Sequence, residues 1–403
     1  MHKVMSGMSW LALVGALAMQ PAVAMANGDH QHEHQGADSL EAAFKNGVVE
    51  GHVGLYGQYQ KNKEAAAPGD PDRFGFASGS ASVTYETAPL HGFSLGFGAW
   101  GTTRLDERNS DDRNPPNGDY KDAIMENAII HNAFLRYQHD DFGHLTAGRQ
   151  EIDLEWLTDY IQGVTAEVEA VENLELTLGW AKRQAVVDFD EVSEHFALMN
   201  ESRGLYFLDA KYTPWEWLEL NPYYYHAGKL FRAPGLKATA TLELSEGLGS
   251  ATSGQFVRAS THEDSGLENG DFLWLSQDFS YRDASLGGGY LKVDRRGTGG
   301  LESFGDQQPF EEGNNIFTED ARTWYLNAGY SLADLGLDLG LLYGRTRYLD
   351  TTSGDYLREK ELNLTADYEI IENLSLGVIF AKVSHDDPAE SYRVLKTLLQ
   401  YNF

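Results

Sequence analysis

Carboxylate side chains recur at short intervals in segment 150–159, which also carries large apolar residues. The charged residues, with the arginine that precedes them, are Arg149, Glu151, Asp153, Glu155 and Asp159. The apolar residues between them are Ile152, Leu154, Trp156 and Leu157. Apolar side chains gain little on an exposed loop. Folded into a pore, the segment can pack them on the wall and turn its acids toward passing cations. We therefore expect a pore constriction here; the alternative is a surface loop with solvated acids.

A second group of residues suited to chemistry lies near the N-terminus, where His30, His32 and His34 occupy alternate positions. Imidazoles at this spacing are able to bind Zn²⁺, Ni²⁺ or Cu²⁺. The alternative is a polar tail that happens to be rich in histidine. A metal bound there would be peripheral to the main function.

Patterns for catalysis are absent from the sequence: it has no phosphate-binding or dinucleotide-binding glycine motif, no zinc-protease motif and no G-x-S-x-G. The remaining candidates for proton transfer are His385 with Asp386 and Asp387, and His131 with Asn132. Such groups work only within hydrogen-bond reach of one another. We expect no enzymatic activity and no required cofactor, and a hydrolase is kept only as a minor alternative.

The composition excludes several classes of protein. The 403 residues include 31 Lys and Arg against 61 Asp and Glu, and a net charge of −30 would repel nucleic acid. No apolar run reaches the ~18 residues that a transmembrane helix needs. There is no cysteine, so a disulfide framework is excluded. A large soluble β protein or an outer-membrane barrel remains.

The N-terminus has the pattern of a secretory signal peptide. Lys3 precedes a short apolar stretch, 10–19, and small residues follow at Ala22, Ala24 and Ala26. We expect residues 1–26 to be removed and residues 27–38 to form the histidine-rich flexible N-terminus. Residues 39–46 are then a short periplasmic helix, and residues 47–403 the β-barrel pore domain.

From residue 48 onward, apolar and polar residues alternate with a period of two. In segment 337–343, for example, Leu337, Leu339, Leu341 and Tyr343 share one face. The strands run ~9–13 residues, the length of a tilted membrane-spanning strand. Aromatic residues near strand ends, such as Trp215, Trp217 and 223–225, are typical of interface girdles. The pattern favours lipid outside and water inside a barrel.

Strand and turn counts predict the topology. Seventeen segments alternate clearly, and the weak segment 254–260 supplies an eighteenth strand, which lets both chain ends lie on the periplasmic side. Short turns alternate with long acidic connections at 61–73, 104–126, 184–203 and 295–320. Outer-membrane barrels alternate in this way. We predict an all-β fold, a transmembrane antiparallel barrel of 18 strands, with 16 as the alternative.

Charged and amide side chains on the polar faces are expected to line an aqueous lumen, because charge is costly against lipid. These residues are Glu175, Arg183, Asp209, Lys211, Glu219, Asn221, Asn327, Glu361, Asn363, Asp367 and Lys396. A barrel of this size leaves a channel unless a loop narrows it.

The expected outer loops are acidic, most strongly in 106–122 and 188–194. Oxygen-rich clusters can hold Ca²⁺ or share divalent ions with lipopolysaccharide phosphates; the alternative is solvated surface charge. Arg345 and Arg347 continue the outward face of Tyr343, so we expect them to contact lipid phosphates directly.

The last strand carries Leu399, Tyr401 and a terminal Phe403 at alternate positions, which resembles the signal read by the barrel-assembly machinery. Segments 39–51 and 147–154 resemble the OprD-like outer-membrane porins, the group that includes major porins of epsilonproteobacteria. The resemblance implies an 18-stranded passive channel, often a trimer, with an inward-folded third outer loop. The basic lumen ladder of carboxylate-specific members is not evident in this chain.

These observations predict an outer-membrane porin of a Gram-negative cell. It would allow passive diffusion of ions and small hydrophilic solutes, and would be general or cation-leaning. The alternative is a channel specific for a sugar or an organic acid. Expected partners are outer-membrane lipid and lipopolysaccharide, the assembly machinery and two further copies of the chain. Ca²⁺ is a candidate ligand of the acidic outer loops, and nucleic acid is not expected.

Overall fold

The computed structural model describes residues 36–65, 71–109, 119–139, 142–305 and 308–403. The expected signal peptide and the histidines His30, His32 and His34 lie outside these described residues. The α-helices are α1 (Leu40–Lys45) and α2 (Asp119–Ala123). Short 3-10 turns lie at Asn200–Ser202, Leu301–Phe304, Ala333–Leu335 and Pro388–Glu390. The strands are β1 (Val48–Asn62), β2 (Arg73–Glu86), β3 (Phe93–Glu107), β4 (Ala128–His139), β5 (Gly143–Glu151), β6 (Tyr160–Val171), β7 (Leu174–Ala185), β8 (Ala197–Leu198), β9 (Leu205–Trp215), β10 (Leu218–Ala227), β11 (Phe231–Ser245), β12 (Leu248–Thr261), β13 (Gly270–Tyr281), β14 (Ala284–Val293), β15 (Arg322–Leu332), β16 (Leu337–Leu349), β17 (Tyr356–Ile371), β18 (Leu374–His385) and β19 (Tyr392–Asn402).

The strands form one antiparallel sheet that closes on itself, since β1 pairs with both β2 and β19. Backbone hydrogen bonds between Gly51 and Phe403 extend this seam in both directions, at 3.0 and 2.9 Å. The two-residue β8 only extends the ladder of β7, so the other strands make a closed barrel of 18. The predicted barrel is confirmed, and the weakest predicted strand, 254–260, lies within β12.

Side chains alternate along each strand between an apolar outward face and a polar inward face. In β17, Leu364 is exposed on the outward side, whereas Glu361 and Asn363 face inward and are buried. Large apolar side chains are exposed in the same way on other strands, for example Leu55 and Leu275. An apolar belt of this kind is stable against lipid, and closure leaves no unpaired sheet edge inside it.

Connections are short at the end where β1 begins and β19 ends, and longer at the far end. The short turns after β6 and β17 both use Glu-Asn, and Asn173 and Asn373 have φ of 61° and 67°. Asparagine tolerates this left-handed region better than most residues. Numbered along the chain, the far-end connections that matter below are loop 3 (152–159), loop 4 (186–204) and loop 7 (294–321). Neither helix of the described ranges has the length and hydropathy to cross a membrane.

The short helix α1 is fixed beside the β2–β3 connection. The Ser39 hydroxyl caps it by accepting a hydrogen bond from the Ala42 backbone N–H at 3.1 Å. Ala43 is buried next to Ala88, and the Ala88 N–H donates to the Ala43 carbonyl at 3.0 Å. The helix lies within the range 39–46 that the sequence predicts.

Adjacent residues in the middle of β17 test the assignment of faces. Leu364→Arg places a charge on the outward face, and Thr365→Arg places the same charge inward. We expect Leu364→Arg to lower the free energy of unfolding by ~2–4 kcal/mol, and Thr365→Arg by much less, because only the first charge faces hydrocarbon. Denaturant unfolding in lipid vesicles measures both values. An equal or larger loss for Thr365→Arg would contradict the assignment.

Candidate functional site

Loop 3 turns into the barrel and packs its apolar side chains on the inner wall. Ile152, Trp156 and Leu157 are buried. The backbone N–H of Trp156 donates to the Tyr225 hydroxyl at 3.2 Å, and its indole Nε1–H donates to the Tyr223 hydroxyl at 3.3 Å. Loop 3, which joins β5 to β6, therefore narrows the interior.

Trp156 anchors loop 3 through aromatic contacts as well. Its ring meets Phe272 and Phe317 edge-on, with centroids 5.2 and 5.7 Å apart. Such contacts stabilise beyond the area that they bury. The interpretation of Tyr223 and Tyr225 as part of an interface girdle is wrong, because both face inward on β10 and are covered by loop 3.

The carboxylates of loop 3 have different surroundings. Glu155 is buried and accepts hydrogen bonds from Lys237 at 2.7 Å and from Gln255 at 3.0 Å. Asp153 is exposed, and Asp159 accepts a hydrogen bond from the Thr158 hydroxyl at 3.1 Å. Glu155 is therefore bound to the wall, whereas Asp153 is open to solvent.

Arg149 and Glu151 lie apart from the other members of the predicted constriction. Strand β5 continues to Glu151, and both side chains share the outward face with Leu145. The Arg149 guanidinium donates to the Ile130 carbonyl at 2.8 Å and lies over the Phe196 ring, 4.4 Å from its centroid. The prediction that these two residues belong to the constriction is corrected, because both lie on the outward face of β5 and not on loop 3.

Loop 4 also enters the interior, which the sequence did not predict. The Phe189 ring lies 4.9 Å from the His52 ring and 5.0 Å from the Trp100 ring, centroid to centroid. It rests directly on Gly54, where a Cβ would collide with the Phe189 ring. The sequence predicts an outer loop here, with its acids as a Ca²⁺ site or as solvated surface charge, but the apolar residues between the acids carry the segment inward.

Lys396 joins loops 4 and 7 to the barrel wall. Its Nζ lies 3.4 Å from Asp190 of loop 4, and 2.7 and 3.6 Å from Glu311 and Glu312 of loop 7. Burial raises the pKa of the Glu311 carboxyl, and the charge of Lys396 opposes that rise. The cluster holds one cation among three carboxylates.

Loop 7 makes further hydrogen bonds to the inner face of β17. The backbone N–H groups of Glu312 and Gly313 donate to the Glu361 carboxylate at 2.9 and 3.0 Å. The Asn315 amide donates to Glu359 at 2.8 Å. These contacts hold the loop against the wall, so loops 3, 4 and 7 together define the narrow part of the interior.

The residues predicted to line the lumen lie on inward faces, except Arg183. Glu175, Lys211 and Glu219 are exposed there. The remaining inward residues are Asp209, Asn221, Asn327, Glu361, Asn363, Asp367 and Lys396. Arg183 follows a bulge in the pairing of β6 with β7, which reverses its facing, and its guanidinium donates to the Phe196 carbonyl at 2.8 Å.

The histidines considered for proton transfer lie in separate places. His131 packs on the Tyr160 ring at 4.9 Å, and His385 Nε2 lies 2.8 Å from the Tyr348 hydroxyl. In the described part of the chain, no group of three His, Cys, Asp or Glu residues is arranged to hold a metal. Leu399, Tyr401 and Phe403 follow the outward parity of β19, and their role in assembly stays a prediction.

A family model described as "Putative outer membrane protein" matches residues 91–382. Solved structures share the fold at low identity. OccAB4 of Acinetobacter baumannii has a TM-score of 0.70 at 15% identity, covering 88% of this chain and 98% of that one. OccK3 (OpdO) of Pseudomonas aeruginosa has 0.71 at 14%, covering 90% and 97%. OprD of Pseudomonas aeruginosa has 0.69 at 12%, covering 91% and 96%. No curated protein matches the sequence.

Substituting Lys396 tests the link between the loops and the wall. Lys396→Met would leave three buried carboxylates without their cation, and we expect it to lower the free energy of unfolding by roughly 3–5 kcal/mol. Denaturant unfolding measures this loss. Lys229→Met, at an exposed loop lysine, is the matched control and should change stability little. Equal stability of the two variants would show that the link is not structural.

Proposed function

The chain belongs to the outer-membrane protein family whose model it matches, and from this premise we propose that it is a porin for ions and small hydrophilic solutes. Its location is the outer membrane. The observation that carries the proposal is a closed barrel with exposed charges on its inward face, at Glu175, Lys211 and Glu219. Solvated charges inside an apolar belt require water in the interior.

A preference for cations is part of the proposal. Inward-facing acids outnumber inward-facing bases, and the cluster at Lys396 has more carboxylates than amines. A pore lined by carboxylates concentrates cations and repels anions. Asp153 of loop 3, exposed beside the narrow part, supports the same preference. A channel specific for a sugar or an organic acid is the second hypothesis. Liposome swelling with sugars of graded size distinguishes it from a general pore.

The proposed transport needs no catalytic step. His131 Nε2 lies 3.4 Å from the Thr84 hydroxyl, and His385 Nε2 lies 2.8 Å from the Tyr348 hydroxyl. The His385 Nδ1 accepts a hydrogen bond from the Asp387 backbone N–H at 3.0 Å, so the ring is engaged on both nitrogens. For assembly, we propose that the barrel-assembly machinery reads the C-terminal strand and that three copies associate. A denaturing gel tests both proposals. The folded barrel should migrate differently before and after heating, and a resistant trimer should appear in the unheated sample.

Conductance tests the porin directly. The purified protein in a planar bilayer should give ion-permeable steps, and Trp156→Ala should raise their size. Truncating a buried tryptophan costs ~3–5 kcal/mol of packing, which releases loop 3 from the wall. Trp217→Ala, at an exposed aromatic residue of the β9–β10 turn, is the matched control and should keep the native conductance. A folded protein that never conducts would contradict the proposal.

Reversal potentials in a KCl gradient test the ion preference. The native channel should favour K⁺ over Cl⁻, and the double variant Glu175→Gln/Glu219→Gln should move the permeability ratio toward one, because both acids face the open interior. Glu216→Gln/Glu246→Gln removes two acids from turns at the barrel end and is the control, since bulk solvent screens those charges. An anion preference in the native channel would contradict the charge argument.

A further inference from the structure

Basic side chains lie on the outward face of eight consecutive strands, β14–β19, β1 and β2, in two rows that are each in cross-strand register. In one row, β14 to β17 place Lys292 opposite Arg322, Arg322 opposite Arg347, and Arg347 opposite Arg358. In a second row, Lys382, Arg393, Lys61 and Arg73 are paired in the same way from β18 to β2. Arg345 and Lys360 form one further pair between β16 and β17. We call these ten residues the outer basic belt.

The belt faces away from the interior. On β17, Arg358 and Lys360 are exposed, and the intervening Glu359 and the next residue, Glu361, are buried on the inward side. On β16, Arg345 and Arg347 alternate with the buried inward residues Gly344, Thr346 and Tyr348. None of the outward-facing residues of these eight strands, all within the described ranges, is acidic.

Aromatic residues place the belt at the level of lipid headgroups. Trp324 lies opposite both Tyr290 and Arg345, and its ring meets Tyr343 with centroids 5.8 Å apart. Below them on the same face are apolar residues such as Leu326 and Leu341. The order of apolar, aromatic and then basic side chains is that of a membrane interface, with the bases where phosphates lie.

The belt carries more positive charge than the neighbouring carboxylates of the protein neutralise. Like charges directly opposite one another on neighbouring strands destabilise a sheet. Among the described residues, the belt's ion pairs are Arg322 with Asp320 at 3.2 Å and Arg73 with Asp72 at 3.8 Å. Within the part of the chain that the structure describes, no carboxylate lies within ion-pair distance of the compact group Arg345, Arg347, Arg358 and Lys360, although the net charge is −30.

We propose that the outer basic belt binds the phosphate groups of outer-leaflet glycolipid, the lipid A part of lipopolysaccharide. One guanidinium group binds two oxygens of a phosphate through a pair of strong, charge-assisted hydrogen bonds. The two rows follow one another around the barrel, and the pair Arg345 and Lys360 adds a second level on β16 and β17, so the belt matches several phosphates side by side. Binding is direct, without a bridging divalent ion, because the belt already carries the positive charge. The belt fits a lipid occupant because its bases continue the apolar and aromatic membrane surface.

The test compares the native protein with the variant Arg345→Gln/Arg347→Gln/Arg358→Gln/Lys360→Gln. Purified protein in zwitterionic detergent is titrated with diphosphoryl lipid A in the presence of a chelator, and the thermal unfolding midpoint is followed. We expect the lipid to raise the native midpoint. The apparent affinity of the variant should fall at least ~10-fold, since one charge-assisted contact is of that order. Without lipid A, the variant should be no less stable than the native protein, because repulsion has been removed.

Two controls separate this role from a structural one. Arg203→Gln/Lys229→Gln/Arg232→Gln/Arg258→Gln removes four exposed bases outside the belt and should keep native affinity. If the fourfold variant fails to fold, the double variant Arg347→Gln/Arg358→Gln replaces it and should show a partial loss of affinity for lipid A. The folded belt variants should conduct like the native protein, which would show that the loss of lipid A binding does not come from a change in the pore.

Several outcomes would overturn the proposal. Lipid A without phosphates could raise the midpoint equally, which would reduce the effect to apolar contact. Inorganic phosphate could reproduce the shift, which would make the site one for a free anion. If lipid A did not raise the unfolding midpoint in the presence of the chelator, a divalent cation would have to bridge the belt and the phosphates. A change of oligomer size in the belt variant without lipid would place a protein partner on this face.

Discussion

Pairing of the first strand with the last is the constraint on which the rest of the structure depends. Hydrocarbon offers no hydrogen-bond partners, so a sheet edge left open there would expose unpaired backbone groups at several kcal/mol each. The seam between β1 and β19 satisfies them, and Phe403 extends it to Gly51. Closure also creates two surfaces with different surroundings. The period of two in the sequence can then place apolar residues on one surface and polar residues on the other.

The interior is filled unevenly. Around Trp156, Phe189 and Phe310, apolar side chains of loops 3, 4 and 7 pack on the wall as a protein core does. Elsewhere the inward face stays exposed, as at Glu175 and Lys211. Lys396 connects loops 4 and 7, because it reaches acids of both from a single strand position. Loop packing and a shared buried cation therefore set how wide the passage is, and the strand number sets only its upper limit.

Charge is sorted by surface in this barrel. Acids outnumber bases on the inward side, where some are open to water and others are bound by the loops, and bases form the outward rows from Lys292 to Arg73. The net charge of −30 describes neither surface, since it sums an acidic interior and loops with a basic outer rim. In the roles that we propose, the two distributions act on different ligands: the interior on ions in transit, and the rim on anionic groups fixed in the membrane.

The sequence by itself determined the barrel, its strand number and the facing of most residues. Strand periodicity is local, because residues two positions apart share a face of the strand. Glu361 and Asn363 both face inward for this reason. The pattern failed where local structure broke that parity. A bulge turned Arg183 outward, and Arg149 and Glu151 lie on the outward face of β5 and not on loop 3. Only the tertiary structure decided that loop 4 enters the lumen and that Lys396 meets Asp190 and Glu311. It also showed that bases far apart in the chain stand side by side. Those contacts join distant segments, and one strand's pattern carries no information about which neighbour lies opposite.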